Sequence, residues 1–128
     1  GGARTEIVKH ITDPAQVNYT WFHRLLVEGS WHRGRVVLVG DAVHCCPPTL
    51  AQGAAMSLED TSVPAELLTS GPDWDEKLLL AYYERRIPRV RKVVEASVQH
   101  GQWQLDGVRD ADVPGLIGST MNVLKELP

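Results

Sequence analysis

Gly34-Arg35-Val36-Val37-Leu38-Val39-Gly40-Asp41 constrains this chain more than any other stretch. Val36 to Val39 is a short apolar, mostly β-branched run with a glycine at each end, which predicts a central strand covered on both faces. Gly40-Asp41 then places a carboxylate at the strand's carboxyl end, the edge where open α/β sheets bind ligands. There it either accepts hydrogen bonds from a ligand hydroxyl or only caps a turn. Beyond Ala42-Val43-His44-Cys45-Cys46, the Pro47-Pro48 pair stiffens an extended path and removes two backbone donors. Gln52-Gly53-Ala54-Ala55 opens a helix on small residues, so its electropositive end allows close approach of an anionic group. Pro64 is expected to kink or end this helix, because it removes the bond to the Asp60 carbonyl.

The rest of the composition narrows the function classes. The chain has 128 residues, 43% apolar and 23% charged, which suits one domain with a modest core. A net charge of -3 gives no basic field for nucleic acid, and the apolar runs fall far short of a membrane span. No signal peptide is recognised, and the expected compartment is the cytoplasm. Two adjacent cysteines fit neither a disulfide framework nor a zinc site, so no metal is expected. The preferred reading of Cys45 and Cys46 is a pair of small packing residues, and a strained vicinal disulfide is the alternative.

Elements on either side of the motif are legible from pattern. Glu6 to Ile11 reads as a helix end broken by Asp13-Pro14, and Val17 to Phe22 has strand composition. His10, His23 and His32 show no metal-ligand spacing and are read as surface or packing residues. Leu79, Tyr83, Ile87, Val90, Val94 and Val98 recur in steps of three and four, predicting a long helix from about Glu76 to Gln102, capped by Asp73 or Asp75 and bent by Pro88. Arg85, Arg86, Arg89, Arg91 and Lys92 on that helix are read as solvated or paired with Glu84 and Glu95. Asp110 to Gly115 reads as a loop and Leu116 to Leu127 as a short amphipathic helix.

The ordered segment GRVVLVGDAVHCCPPTLAQGAAMSLED resembles the second FAD-binding motif of the flavin-dependent aromatic hydroxylases, the para-hydroxybenzoate and salicylate hydroxylase group. By that resemblance Asp41 meets the ribityl chain of FAD, and Pro47 and Pro48 line the reactive face of the flavin beside the substrate. The backbone of Gly53, Ala54 and Ala55 meets the pyrimidine end of the ring. Leu50 and Ala51 stand where many members carry Gly, and Ala55 where many carry Asn, so only a backbone contact is expected from Ala55. The resemblance thus implies cofactor contacts at Asp41, Pro48, Gly53, Ala54 and Ala55. Substrate contacts are assigned to His44, Cys46 and Pro47. No residue is assigned a catalytic role, since the oxygen chemistry belongs to the flavin, and His44 is read either as a substrate neighbour or as a structural histidine at a turn.

No GxGxxG follows an N-terminal strand, so the expectation is a carboxyl-terminal fragment whose ADP-binding, N-terminal part lies elsewhere. The expected fold class is α/β, the C-terminal portion of an FAD/NAD(P)-binding, Rossmann-like domain, mostly helical with few strands as a fragment. Residues 1–30 would end a substrate-covering region and residues 31–128 would belong to the FAD-binding domain. The implied activity is an FAD-dependent monooxygenase using NADH or NADPH and oxygen on an aromatic or similar electron-rich small molecule, with a homodimer as one assembly. A reductase or epoxidase on the same scaffold, or a helical remnant that binds a partner without catalysis, are the alternatives.

Overall fold

The computed structural model describes residues 2–71 and 74–128. Four helices carry most of the chain: α1 (Ala3–His10), α2 (Gly53–Thr69), α3 (Glu76–Leu105) and α4 (Val113–Leu124). Four two-residue strands, β1 (Leu25–Leu26), β2 (His32–Arg33), β3 (Val36–Val37) and β4 (His44–Cys45), form two antiparallel ladders, β1 with β4 and β2 with β3. The architecture is therefore mostly helical with few strands. Among the described residues no helix is long and apolar enough to cross a membrane.

The strand predicted over Val36 to Val39 is shorter than its composition suggests. Only Val36 and Val37 pair, opposite Arg33 and His32, in a hairpin turned by Gly34 at φ 58°. Such a φ suits glycine, which has no Cβ to clash. A run apolar on both faces needs cover above and below its sheet, and among the described residues that cover is incomplete, so Val36, Leu38 and Val39 remain exposed. Val17 to Phe22 likewise finds no ladder partner: Tyr19 is 75% exposed, Trp21 72% and Phe22 66%. Propensity alone does not make a strand, because its backbone groups need a second strand to bond.

The two proline-containing helices run on. α2 continues through Pro64 to Thr69, and α3 through Pro88 to Leu105. Val63 is buried and Leu67 packs on the same core, so tertiary contacts hold α2 on both sides of the missing hydrogen bond. Asp75 caps α3, its carboxylate accepting from the Leu78 N–H at 2.9 Å; Asp73 lies outside the described residues. α4 begins earlier than Leu116 and stops short of Leu127. Asp112 accepts from the Gly115 N–H at 2.9 Å and Pro114 sits in the first turn, a capping pattern rather than a loop.

The core is built where α2 and α3 meet the segment around the hairpin. Trp31 is fully buried, edge-on to Tyr82 and Tyr83 at centroid distances of 5.6 and 5.4 Å, and its indole N–H donates to the Val27 carbonyl at 3.0 Å. Val43, Met56, Val63, Ile87, Val90, Val93 and Val94 complete the buried cluster. Residues 2–25 are exposed throughout.

Candidate functional site

Gly40 determines how the chain leaves β3. It has φ 58°, and a Cβ there would stand 2.7 Å from Ser57 Oγ, so only glycine lets the turn lie this close to α2. The turn Gly40–Ala42 closes with the Val43 N–H donating to the Gly40 carbonyl at 2.9 Å and leaves Asp41 exposed beside the amino end of α2.

An open cleft of about 460 Å3 lies there, lined by Asp41, Cys46, Pro48, Gly53 and Ala54, with Ala51 and Ser57. Five residues assigned to the site from the sequence thus share one cavity. Ala55 is in the first turn of α2 but outside the cleft lining. Pro47 faces a neighbouring, more apolar groove of about 330 Å3 with Phe22, Thr49, Val98 and Leu105. His44 is 2% exposed and turned inward onto Asp60, so it does not face the cleft.

The chemistry of the cleft is one of fixed donors and one acceptor. Gln52, the residue before α2, makes no side-chain cap, so the first amides of the helix point outward without a side-chain acceptor, and a Cβ at Gly53 would meet nothing within 4 Å. Across from them stands the Asp41 carboxylate. Ala51, the residue that enters Gln52, is in the left-handed region at φ 53°, which explains why glycine suits the position. Cys45 and Cys46 are free thiols; burial pushes the Cys46 thiol up, against a smaller lowering by Ser97. These outward amides, a carboxylate acceptor and a stiff proline wall fit a cofactor that combines a hydroxylated chain with an electron-rich ring edge.

Beneath the cleft lies a polar cluster that pattern reading did not find. Asp60 is fully buried on α2, and its carboxylate accepts from the Gly40 N–H at 2.8 Å, from His44 Nε2, and from Arg86 Nε at 2.8 Å. Burial would raise the Asp60 carboxyl, but the bonds from His44, Gly40 and Arg86 outweigh it and hold it below the usual carboxylate range. Glu59 behaves the same way: burial opposes ionisation, and bonds from Arg89 and Arg86 prevail. Arg89 forks onto Glu59 at 2.7 and 2.8 Å and also caps α4 through the Leu124 carbonyl at 2.9 Å.

The arginines of α3 are therefore not paired with Glu84 and Glu95. Arg86 and Arg89 turn into the core, Arg85 binds Glu66 at 2.9 and 3.0 Å, and Arg91 binds Glu28 at 2.7 Å. A signal existed in the sequence. Tyr82, Arg86, Arg89 and Val93 also step by four, three and four, a second face of α3 that is buried beside the apolar stripe.

Known proteins share much of this sequence. The pattern of the family described as "FAD binding domain" matches residues 4–97. YetM of Bacillus subtilis (strain 168), which carries the name of an FAD-dependent monooxygenase, is 42% identical over 120 residues, covering 94% of this chain and 32% of that protein. The 2-heptyl-3-hydroxy-4(1H)-quinolone synthase of Pseudomonas aeruginosa is 44% identical over 80 residues, covering 62% of this chain and 21% of its own length. The 3-amino-4-hydroxybenzoate 2-monooxygenase PtnB3 of Streptomyces platensis is 42% identical over 73 residues, 57% of this chain and 18% of its own. The chain spans about a third or less of each of these curated relatives.

Proposed function

Because this chain belongs to the FAD binding domain family, we propose that it forms the flavin-side portion of an FAD-dependent monooxygenase acting on an aromatic or similar electron-rich small molecule, with NADH or NADPH as electron donor. The observation that carries this reading is the single cleft joining Asp41, Pro48, Gly53 and Ala54. In it Asp41 would accept hydrogen bonds from the ribityl hydroxyls. The amides of Gly53 and Ala54 would hold the electron-rich edge of the ring, with Ala55 set back in the same first turn, and Pro48 would close one side without competing donors. FAD, when bound, supplies the redox and oxygen chemistry; the chain's share is to bind, orient and exclude water.

Cys46 lines the same cleft and Pro47 the adjoining apolar groove, which supports assigning both to the substrate side of the flavin. His44, assigned to the substrate from the sequence, serves the site from behind through Asp60. Residues 31–128 form the C-terminal part of a Rossmann-like FAD-binding domain and residues 1–30 the end of a substrate-covering region. The support is that Trp31 is the first fully buried residue among those described.

Flavin absorbance of the full-length protein, and oxidation of NADH or NADPH that requires oxygen and is stimulated by phenolic compounds, test the reading. Stimulation without oxygen uptake would favour a reductase on the same scaffold, and absence of bound flavin would remove both. Asp41→Ala is expected to weaken FAD binding by about 1 to 3 kcal/mol, the range for a hydrogen bond to a charged acceptor. Parental affinity in that variant would take Asp41 out of the site.

A further inference from the structure

We propose that Asp60 is a positioning residue for the cofactor cleft: its buried carboxylate fixes the turn Gly40–Ala42, and with it the place of Asp41, against α2 and α3. The proposal rests on the reading of Asp41 as a cofactor contact. Asp60 Oδ2 accepts from residues on both sides of Asp41, the Gly40 N–H at 2.8 Å and the ring of His44, while Oδ1 accepts from Arg86 Nε on α3 at 2.8 Å. One side chain therefore ties three segments together around the turn. Asp60, His44 and Arg86 are all fully or almost fully buried, so water cannot stand in for a lost partner.

The turn is also held from the other side. Gly40 lies so near Ser57 that a single added carbon would collide, which leaves no slack between the turn and α2. Among the described residues the Asp41 side chain has no protein hydrogen-bond partner, so its position is inherited from this backbone. Three donors converge on Asp60, and only a carboxylate offers acceptors to all of them. Asparagine of the same shape would turn one acceptor into a donor facing a donor.

The test uses the full-length protein that carries this chain. The FAD affinity of the apoprotein, read by flavin fluorescence, is measured for the parent, Asp41→Ala, Asp60→Asn and the double variant, with the melting temperature of each. Asp60→Asn is expected to weaken FAD binding about tenfold or more, and the double variant to bind no more than about threefold more weakly than Asp41→Ala alone, since Asp60 acts through Asp41. Losses that multiply in the double variant would make Asp60 a general fold residue and overturn the proposal. Parental affinity of Asp60→Asn beside a weakened Asp41→Ala would overturn it while the cofactor reading stands, and parental affinity of Asp41→Ala would overturn that reading and the proposal with it. Should Asp60→Asn not fold at the assay temperature, Gly40→Ala displaces the same turn while keeping the Asp60 carboxylate and its bonds from His44 and Arg86; it must show the same non-additivity with Asp41→Ala, and multiplying losses there overturn the proposal equally.

Discussion

Replacing Arg86 by methionine probes the buried cluster most directly, because it keeps the length and most of the volume of the side chain while deleting its charge and donors. Arg86 donates to Asp60, to Glu59 and, at 3.2 Å, to the Met56 carbonyl. Removing one member of a buried ion network costs about 3 to 5 kcal/mol, chiefly because the remaining charge is left without compensation. The structure selects the lower end of that range. Asp60 keeps the Gly40 N–H and His44, and Glu59 keeps both bonds from Arg89, so neither carboxylate is stranded. A loss of about 3 kcal/mol corresponds to a fall in melting temperature of roughly 10 °C for a domain of this size. Arg91→Met supplies the control, since its pair with Glu28 is exposed and is expected to contribute no more than about 1 kcal/mol. Thermal unfolding of the two variants followed by circular dichroism decides the matter. Equal melting temperatures would show that burial of the Arg86 cluster has no energetic consequence and would refute the reasoning.

Acid is expected to act through the same groups. The Asp60 and Glu59 carboxyls are held below their ordinary range in the folded chain, so the unfolded state takes up protons first. Their contribution is complete above about pH 4, near the ordinary carboxylate pKa, and is lost as pH falls through the folded values; melting temperature measured from pH 6 downward should drop below that point, and less steeply in Asp60→Asn. Ala51→Gly is expected to raise stability by about 0.5 to 1 kcal/mol, since relief of the left-handed backbone exceeds the added freedom of the unfolded chain; a lower melting temperature would contradict this. FAD titrated into the isolated 128-residue chain is expected not to saturate in the micromolar range, because the open cleft offers contacts to only part of such a ligand; saturable quenching of flavin fluorescence at that affinity would refute it.

The features legible in the sequence are those set by local chemistry. Gly40-Asp41 reads as a turn, Gln52 to Ala55 as a helix start, and one of Asp73 and Asp75 as a cap, because each follows from what one or two residues can do with nearby backbone. The cleft residues gather for the same reason, being a turn and a helix end joined by a short, proline-stiffened segment. The features missed depend on partners far along the chain. The apolar run needed cover on both faces that the described residues do not supply; past Val37 the Leu38 N–H still bonds the Trp31 carbonyl at 2.8 Å, but the paired strand of four became one of two. Arg86 and Arg89 read as solvated or paired with Glu84 and Glu95 because arginine is rarely buried, whereas their carboxylate partners lie 26 to 30 residues away on α2.

Asp41 and Asp60 make the difference concrete, since the same side chain serves opposite ends of one segment. Asp41 is exposed, and its chemistry is available to whatever enters the cleft; Asp60 is buried, and its chemistry is spent on the chain itself. A buried ion pair that only closes on itself can often be exchanged for apolar residues of similar volume without loss of stability. Asp60 cannot be exchanged in that way, because two of its three donors, the Gly40 N–H of the turn and the His44 ring of β4 just after it, would be left buried without an acceptor. A swap of Asp60 and Arg86 together for apolar residues would therefore remove the charges and still leave the turn unsatisfied, which ties this buried carboxylate to the geometry of the cleft rather than to the stability of α2 and α3 alone.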